Sequence, residues 1–133
     1  MVIGYGIDIV RVSRFIKNSH EKQMQLAGKI LSVDEIEYMQ RKYTNINKMA
    51  KFMAKRFAAK EALSKAIGCG LLNNLSMQEV TILPNNLGAP KIELNQHITN
   101  LVRSFLNTAN YEIILSISDE KEYAIAGCII KSR

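Results

Sequence analysis

No apolar run in this 133-residue chain approaches the roughly 20 residues that a membrane-spanning helix needs, so no such helix is expected. The short apolar stretch near the N-terminus has no basic leader and is broken by Asp8, so a signal peptide is not expected either. Cysteine is scarce. Cys69 and Cys128 form no CxxC pair and fit no metal-ligand spacing. With no export signal, reduced thiols and a cytoplasmic location are expected, and a disulfide framework is not. Repeats, low-complexity tracts and linkers are also missing. The length suits one domain over residues 1–133, enough for one core and too little for two. No Ser-His-Asp set is apparent, and His20 and His97 read as surface residues.

What the chain does have is positive charge in one place. Between Arg41 and Lys65 stand eight bases and one acid, Glu61, a net of +7 in a chain whose total is +6. The remainder sums to −1, so the basicity is local. Such a field attracts anions, whether nucleic acid, acidic protein surfaces or polyphosphates.

The pattern of elements predicts an α+β fold in which an antiparallel sheet packs on one long helix with short accessory helices. Val2 to Val10 reads as a strand. Ser13 to about His20 reads as a short helix, with a second following to Ala27. Ser32 with Glu35 forms a capping box at the start of another helix. After a turn at Asn45–Lys48, the long helix runs from about Asn47 to Ile67 and stops at Gly68-Cys69-Gly70. Met77–Leu83 and Lys91–Leu94 read as strands around a proline- and glycine-bearing loop, 84–90. A helix over Asn95–Leu106 follows. Tyr111–Ile117 and Tyr123–Ile130 then form an antiparallel hairpin, with Ser118–Lys121 as its turn.

The long helix presents Met49, Phe52, Met53, Leu63 and Ile67 on one face, and Arg56 and Lys60 fall on that same face. Two accounts of the two bases stand open. Either their stems cover the core edge while their charges reach water, or the face borders a cleft or subunit interface. Glu61 and Lys65 lie four apart, the spacing of a weak surface ion pair worth ~0.3–0.5 kcal/mol. Asp8 is harder to accommodate. A carboxylate within Gly6-Ile7-Asp8-Ile9-Val10 must face water, a partner or a cation, because burying it alone costs several kcal/mol. If Asp8 and Glu61 meet, two carboxylates suffice for Mg²⁺, which takes the rest of its shell from waters and substrate phosphates.

These residues resemble a known family. Gly4-Tyr5-Gly6-Ile7-Asp8-Ile9-Val10, Phe57-Ala58-Ala59-Lys60-Glu61-Ala62, Ser64-Lys65-Ala66 with Gly68 and Gly70, and Leu115-Ser116-Ile117-Ser118 before Glu122-Tyr123-Ala124 are similar to the holo-[acyl-carrier-protein] synthases. These are 4′-phosphopantetheinyl transferases of the short bacterial type. The resemblance spans nearly the whole chain. It implies transfer of 4′-phosphopantetheine from coenzyme A to a serine of apo acyl carrier protein, releasing adenosine 3′,5′-bisphosphate in support of fatty acid biosynthesis. It implies catalytic roles for Asp8, Glu61 and Lys65, with Mg²⁺ on Asp8 and Glu61. Coenzyme A contacts are implied for Arg56, Lys60, Lys65 and Gly68, and a contact with the acidic carrier protein for Arg14. It further implies a homotrimer with active sites at subunit interfaces, an arrangement that would account for Arg56 and Lys60 on an apolar face.

The nucleophile belongs to the partner, so the chain need supply only charge neutralisation and a base. A metal-polarised water, Glu61 and Lys65 are the candidates for that base. One position departs from the family pattern. A histidine commonly follows Ser-Ile-Ser, whereas here Asp119 does, and it reads as a turn residue. Two other functions compete. A nucleic-acid module would use the basic helix, which carries only Phe52 and Phe57 as aromatics and has no helix-turn-helix or RNA-binding signature beside it. A non-catalytic binder of coenzyme A or carrier protein would account for Asp119. No nucleic-acid or membrane partner is expected.

Overall fold

The computed structural model describes residues 1–68 and 77–133. Strand β1 (Val2–Arg11) leads through a 3-10 turn (Val12–Phe15) to helices α1 (His20–Ile30), α2 (Val33–Lys42) and α3 (Ile46–Ile67). A hairpin of β2 (Val80–Pro84) and β3 (Pro90–Leu94) follows, then helix α4 (Gln96–Leu106) and the strands β4 (Tyr111–Asp119) and β5 (Tyr123–Ser132). The strands form two antiparallel sheets, β1-β5-β4 and β2-β3. In the larger sheet Asp8 lies opposite Ala126, and Asp119 lies opposite Ala124.

Local chemistry sets the ends of the helices. The Ser32 hydroxyl accepts from Glu35 N while the Glu35 carboxylate accepts from Ser32 N, a complete capping box. The Asn45 side chain accepts from the Asn47 and Lys48 amides at the head of α3, a cap worth about 1 kcal/mol. Asn45–Lys48 is therefore the start of α3 and not a separate turn. Gly68 ends α3 at φ +93°, the left-handed conformation a helix stop uses. Cys69 and Gly70, the rest of the expected stop, lie outside the described residues.

Two expected elements are shorter than their patterns. The helix from Ser13 reduces to the single 3-10 turn because Ile16 is extended and Ser19 caps α1 only afterwards. The strand expected from Met77 begins at Val80, after a 3-10 turn over Met77–Glu79.

The larger sheet packs one face on α3. Ala124, Ala126, Cys128 and Ile130 of β5 point inward, against a helix whose Ala58, Ala59 and Ala62 are fully buried. Small residues on both surfaces let strand and helix approach closely. At β1 the approach is closer still, since a methyl group at Gly4 would overlap the Ala66 carbonyl and one at Gly6 the Ala62 carbonyl. The opposite sheet face is apolar and exposed, with Tyr5 at 63% and Ile9 at 61% of full exposure, flanked by Ile7, Ile125 and Ile129. Among the described residues no helix is long and apolar enough to cross a membrane.

Candidate active site

The close contact of β1 with α3 brings the candidate residues together. Asp8 leaves β1 on the α3 side, three-quarters or more buried, and Lys65 reaches it from the last turn of the helix. The Lys65 ammonium donates to Asp8 Oδ1 and to the Ile7 carbonyl, both at 3.1 Å. It therefore turns toward β1, not along the helix toward Glu61. The charges of Asp8, Lys65 and Arg14 all bear on Glu61. Partial burial, and then the nearby Asp8 carboxylate, push the Glu61 carboxyl above the ordinary range, against the opposing pull of Lys65 and Arg14. Arg14 lies in the 3-10 turn, and its guanidinium stacks over Phe57 at 5.0 Å and Phe15 at 5.8 Å.

Four expected residues, Asp8, Glu61, Lys65 and Arg14, thus form one cluster. Among the described residues, no group of three or more His, Cys, Asp and Glu side chains comes together as a metal site. Two oxygen-bearing carboxylates with like charges close enough to raise one proton affinity are what a hard divalent cation accepts when phosphates and waters complete its shell. The donor set fits Mg²⁺. Gly68 closes the helix three residues beyond Lys65, with no atom of the described residues within 4 Å of where a Cβ would stand.

Arg56 lies elsewhere. It lines a cleft of about 270 Å³ with Tyr38, Lys42, Phe52, Gly88 and Pro90. Its Nε donates to the Ile82 carbonyl at 2.9 Å, and its guanidinium lies 4.3 Å from the Phe52 ring centre. Only 6% exposed, Arg56 does border a cleft. Glu61 stands five positions further on, roughly 7.5 Å along the helix axis and about 140° around it. The carboxylate cluster and the cleft therefore face different sides of α3.

Lys60 is a correction. It neither snorkels nor faces a cleft, being wholly buried with Nζ 2.5 Å from Glu35 Oε1. Its other two donors go to the Ile30 carbonyl at 2.8 Å and the Met77 carbonyl at 3.0 Å. An ammonium with all three N–H groups used inside the chain has none for coenzyme A. Nor is a neighbouring subunit needed to account for its place on an apolar face, since its counter-charge is internal.

Asp119 also differs from its expected role. It ends β4 in register with Ala124, and the turn follows at Glu120, whose N–H donates to the Tyr123 carbonyl. The Asp119 carboxylate stands 3.5 Å from the Lys51 ammonium and 3.7 Å from that of Lys55. His20 and His97 are on the surface, as expected. Of the eight bases in the basic segment, Lys51, Lys55, Arg56, Lys60 and Lys65 all meet acceptors of the same chain. Lys51 and Lys55 share the Asp119 carboxylate, and much of the segment's charge is met within the chain. Sequence reasoning missed the Lys60–Glu35 pair, since Glu35 had a sufficient role as a capping residue. It also missed Tyr38, Lys42, Gly88 and Pro90 as cleft walls, because nothing local links a helix face to a hairpin loop.

The family model of the 4′-phosphopantetheinyl transferase superfamily matches residues 4–128. The holo-[acyl-carrier-protein] synthase of Pelagibacter ubique is 36% identical over 132 residues, covering 99% of this chain and 98% of the relative. The acyl carrier protein synthase of Plasmodium yoelii, solved with ADP bound, is 32% identical with a TM-score of 0.83, covering 100% of this chain and 98% of that one. The Helicobacter pylori holo-[acyl-carrier-protein] synthase, solved in complex with coenzyme A, is 29% identical with a TM-score of 0.72, covering 96% and 99%. The chain belongs to the 4′-phosphopantetheinyl transferase superfamily and, within it, to the holo-[acyl-carrier-protein] synthase family. It is accordingly a transferase.

Proposed function

We propose that this chain, acting as a single domain over residues 1–133, transfers the 4′-phosphopantetheine group of coenzyme A to a serine of apo acyl carrier protein. Adenosine 3′,5′-bisphosphate leaves, and the product serves fatty acid biosynthesis in the cytoplasm. The observation that carries this reading is the cluster of Asp8, Glu61 and Lys65 at the crossing of β1 and α3.

Asp8 and Glu61 would hold Mg²⁺, which when bound offsets the charge of the coenzyme A diphosphate and polarises its oxygens. The chain's own groups do the rest. The serine oxygen forms a bond to the phosphorus of the phosphopantetheine group, and that phosphorus loses its bond to the bridging oxygen of the diphosphate. Lys65, with its side chain half exposed, donates to the diphosphate oxygens on which negative charge accumulates. The serine proton is taken up within this cluster, where Glu61, Lys65 and a metal-polarised water are the candidate bases. Gly68, at the end of α3, would let the ligand approach the backbone with no Cβ in the way.

Arg56 and its cleft receive the nucleotide phosphates, and the exposed Arg14 meets the acidic carrier protein. Lys60, with its three N–H donors used inside the chain, makes no coenzyme A contact. A homotrimer with sites at its subunit interfaces is supported by two features. The outer sheet face is apolar and uncovered, and the carboxylate cluster and Arg56 cleft of one chain point to different sides of α3. A neighbouring subunit would bring one of each together.

The test is direct. Purified chain, Mg²⁺, coenzyme A and apo acyl carrier protein are combined, and the carrier protein is weighed by mass spectrometry. Addition of one phosphopantetheine, abolished in Asp8→Ala and Glu61→Ala, is the expected outcome. A folded wild-type enzyme that leaves the carrier unmodified would sink the reading. Calorimetric binding of coenzyme A without turnover would instead favour a non-catalytic binder.

A further inference from the structure

One buried network takes no part in the carboxylate cluster, yet it ends at the cleft. Glu35 is fully buried. Its Oε1 accepts from Ser32 N at 2.8 Å and from the Lys60 ammonium at 2.5 Å, and its Oε2 accepts from Ile82 N at 2.9 Å. The carbonyl of the same Ile82 accepts from Arg56 Nε at 2.9 Å. Glu35 thus anchors the residue on which Arg56 is anchored. With Nε committed and the guanidinium over Phe52, the orientation of the Arg56 fork is set. Among the described residues its four other N–H donors have no hydrogen-bond partner, which leaves them to a ligand. Lys60 meanwhile ties Glu35 to the Ile30 and Met77 carbonyls, which fixes the carboxylate from the far side.

We propose that Glu35 and Lys60 are positioning residues that hold Arg56 for the phosphates of coenzyme A through the Ile82 main chain. The inference rests on the assignment of Arg56 to those phosphates. Two further facts favour it over a purely structural role. Buried ion pairs are often no more stabilising than apolar side chains of the same volume, so the fold alone does not call for one here. The Glu35 charge also acts on Arg56 directly, countering the cost of burying its guanidinium. By contrast, the charges bearing on Glu61 are those of Asp8, Lys65 and Arg14, so Lys60 works by placement and not by its field on the carboxylates.

The experiment is a double-mutant cycle on the full chain, read by calorimetric affinity for coenzyme A. Arg56→Ala is expected to weaken binding by about tenfold or more. The paired apolar replacement Glu35→Leu with Lys60→Met removes the anchor without stranding a charge. It is expected to fold and to weaken coenzyme A by about five- to tenfold, while in the Arg56→Ala background it adds less than about twofold. Its KM for coenzyme A rises while kcat at saturation is largely kept. Replacing Glu35→Leu by Glu35→Gln in the pair restores an acceptor for Ile82 N and should recover most of the affinity. Should the apolar pair not fold, Glu35→Asp, which keeps the charge for Lys60 but shortens the reach to Ile82, is scored in the same cycle. Unchanged affinity, or a loss equally large without Arg56, overturns the inference while leaving the Arg56 assignment intact. An Arg56→Ala chain that binds coenzyme A as wild type does overturns both.

Discussion

At the scale of single residues, the Asp8 carboxylate has two neighbours with opposite demands. Lys65 stabilises its charge, and Glu61 is hindered from ionising by it. Asp8→Asn should therefore lower the Glu61 proton affinity in metal-free protein, because a like charge is removed and Lys65 is released toward Glu61. Burial, the larger cause, remains, so the Glu61 titration followed by carbon NMR should fall only part of the way to the ordinary carboxylate range. An unmoved or raised titration would contradict the geometry. The same variant should lose Mg²⁺-dependent transfer while melting within a few degrees of wild type, since it removes one partly solvated ion pair worth about 1 kcal/mol or less.

Cys128 offers a second residue-scale test. Burial pushes its thiol up to about 12, and its side chain has no exposure. At pH 8 it should resist iodoacetamide in the native protein and react in denaturant, as read by peptide mass. The unfolded thiol ionises near 8.5, below the folded one. The unfolded state therefore loses its proton first as pH rises. The stability held by the neutral buried thiol is fully present below about pH 8.5 and declines toward pH 12.

At the scale of elements, the crossing of β1 over α3 builds the site, and glycine permits the crossing. Gly6→Ala would drive a methyl group into the Ala62 carbonyl, with the Ala66 amide and the Lys65 stem close behind. Backbone atoms cannot swing aside, so β1 must lift. A loss of about 1–3 kcal/mol in urea unfolding is expected, together with a larger loss of transfer than of stability, because Asp8 moves with the strand. Gly28→Ala is the control. It sits in α1 with no atom of the described residues near the added methyl group, and should stabilise by ~0.5–1 kcal/mol with activity unchanged. The first glycine was legible as part of Gly4-Tyr5-Gly6, but its partner on α3 was not, because 56 positions separate Gly6 from Ala62.

At the scale of the whole molecule, the uncovered sheet face is where the proposed trimer would close. Ile125→Lys puts a charge on that face, away from Asp8, Glu61 and Arg56. The variant should run as a monomer by light scattering, keep its circular dichroism, and lose transfer, since no neighbour then aligns a cleft with a carboxylate cluster. A wild-type chain active as a monomer would dispose of the interface site.

The sequence by itself determined the elements that carry their own instructions. The capping box at Ser32, the glycine end of α3 and the closing hairpin are readable because each depends on neighbours a few positions away, whereas the Asn45 cap passed for a turn and Asp8, Glu61 and Lys65 stood out as a set only through the family motif. Local pattern also suggested a weak Glu61–Lys65 helix pair. The tertiary structure decided otherwise by laying β1 beside the last turn of α3, which gives Lys65 a carboxylate and a carbonyl together. It likewise took Lys60 out of the ligand set by burying it against Glu35, and set Arg56 in a cleft walled by a distant hairpin loop. Helical spacing fixes which side of α3 a cation leaves, but its counter-charge comes from whichever segment packs there, and that is settled only when the chain closes on itself.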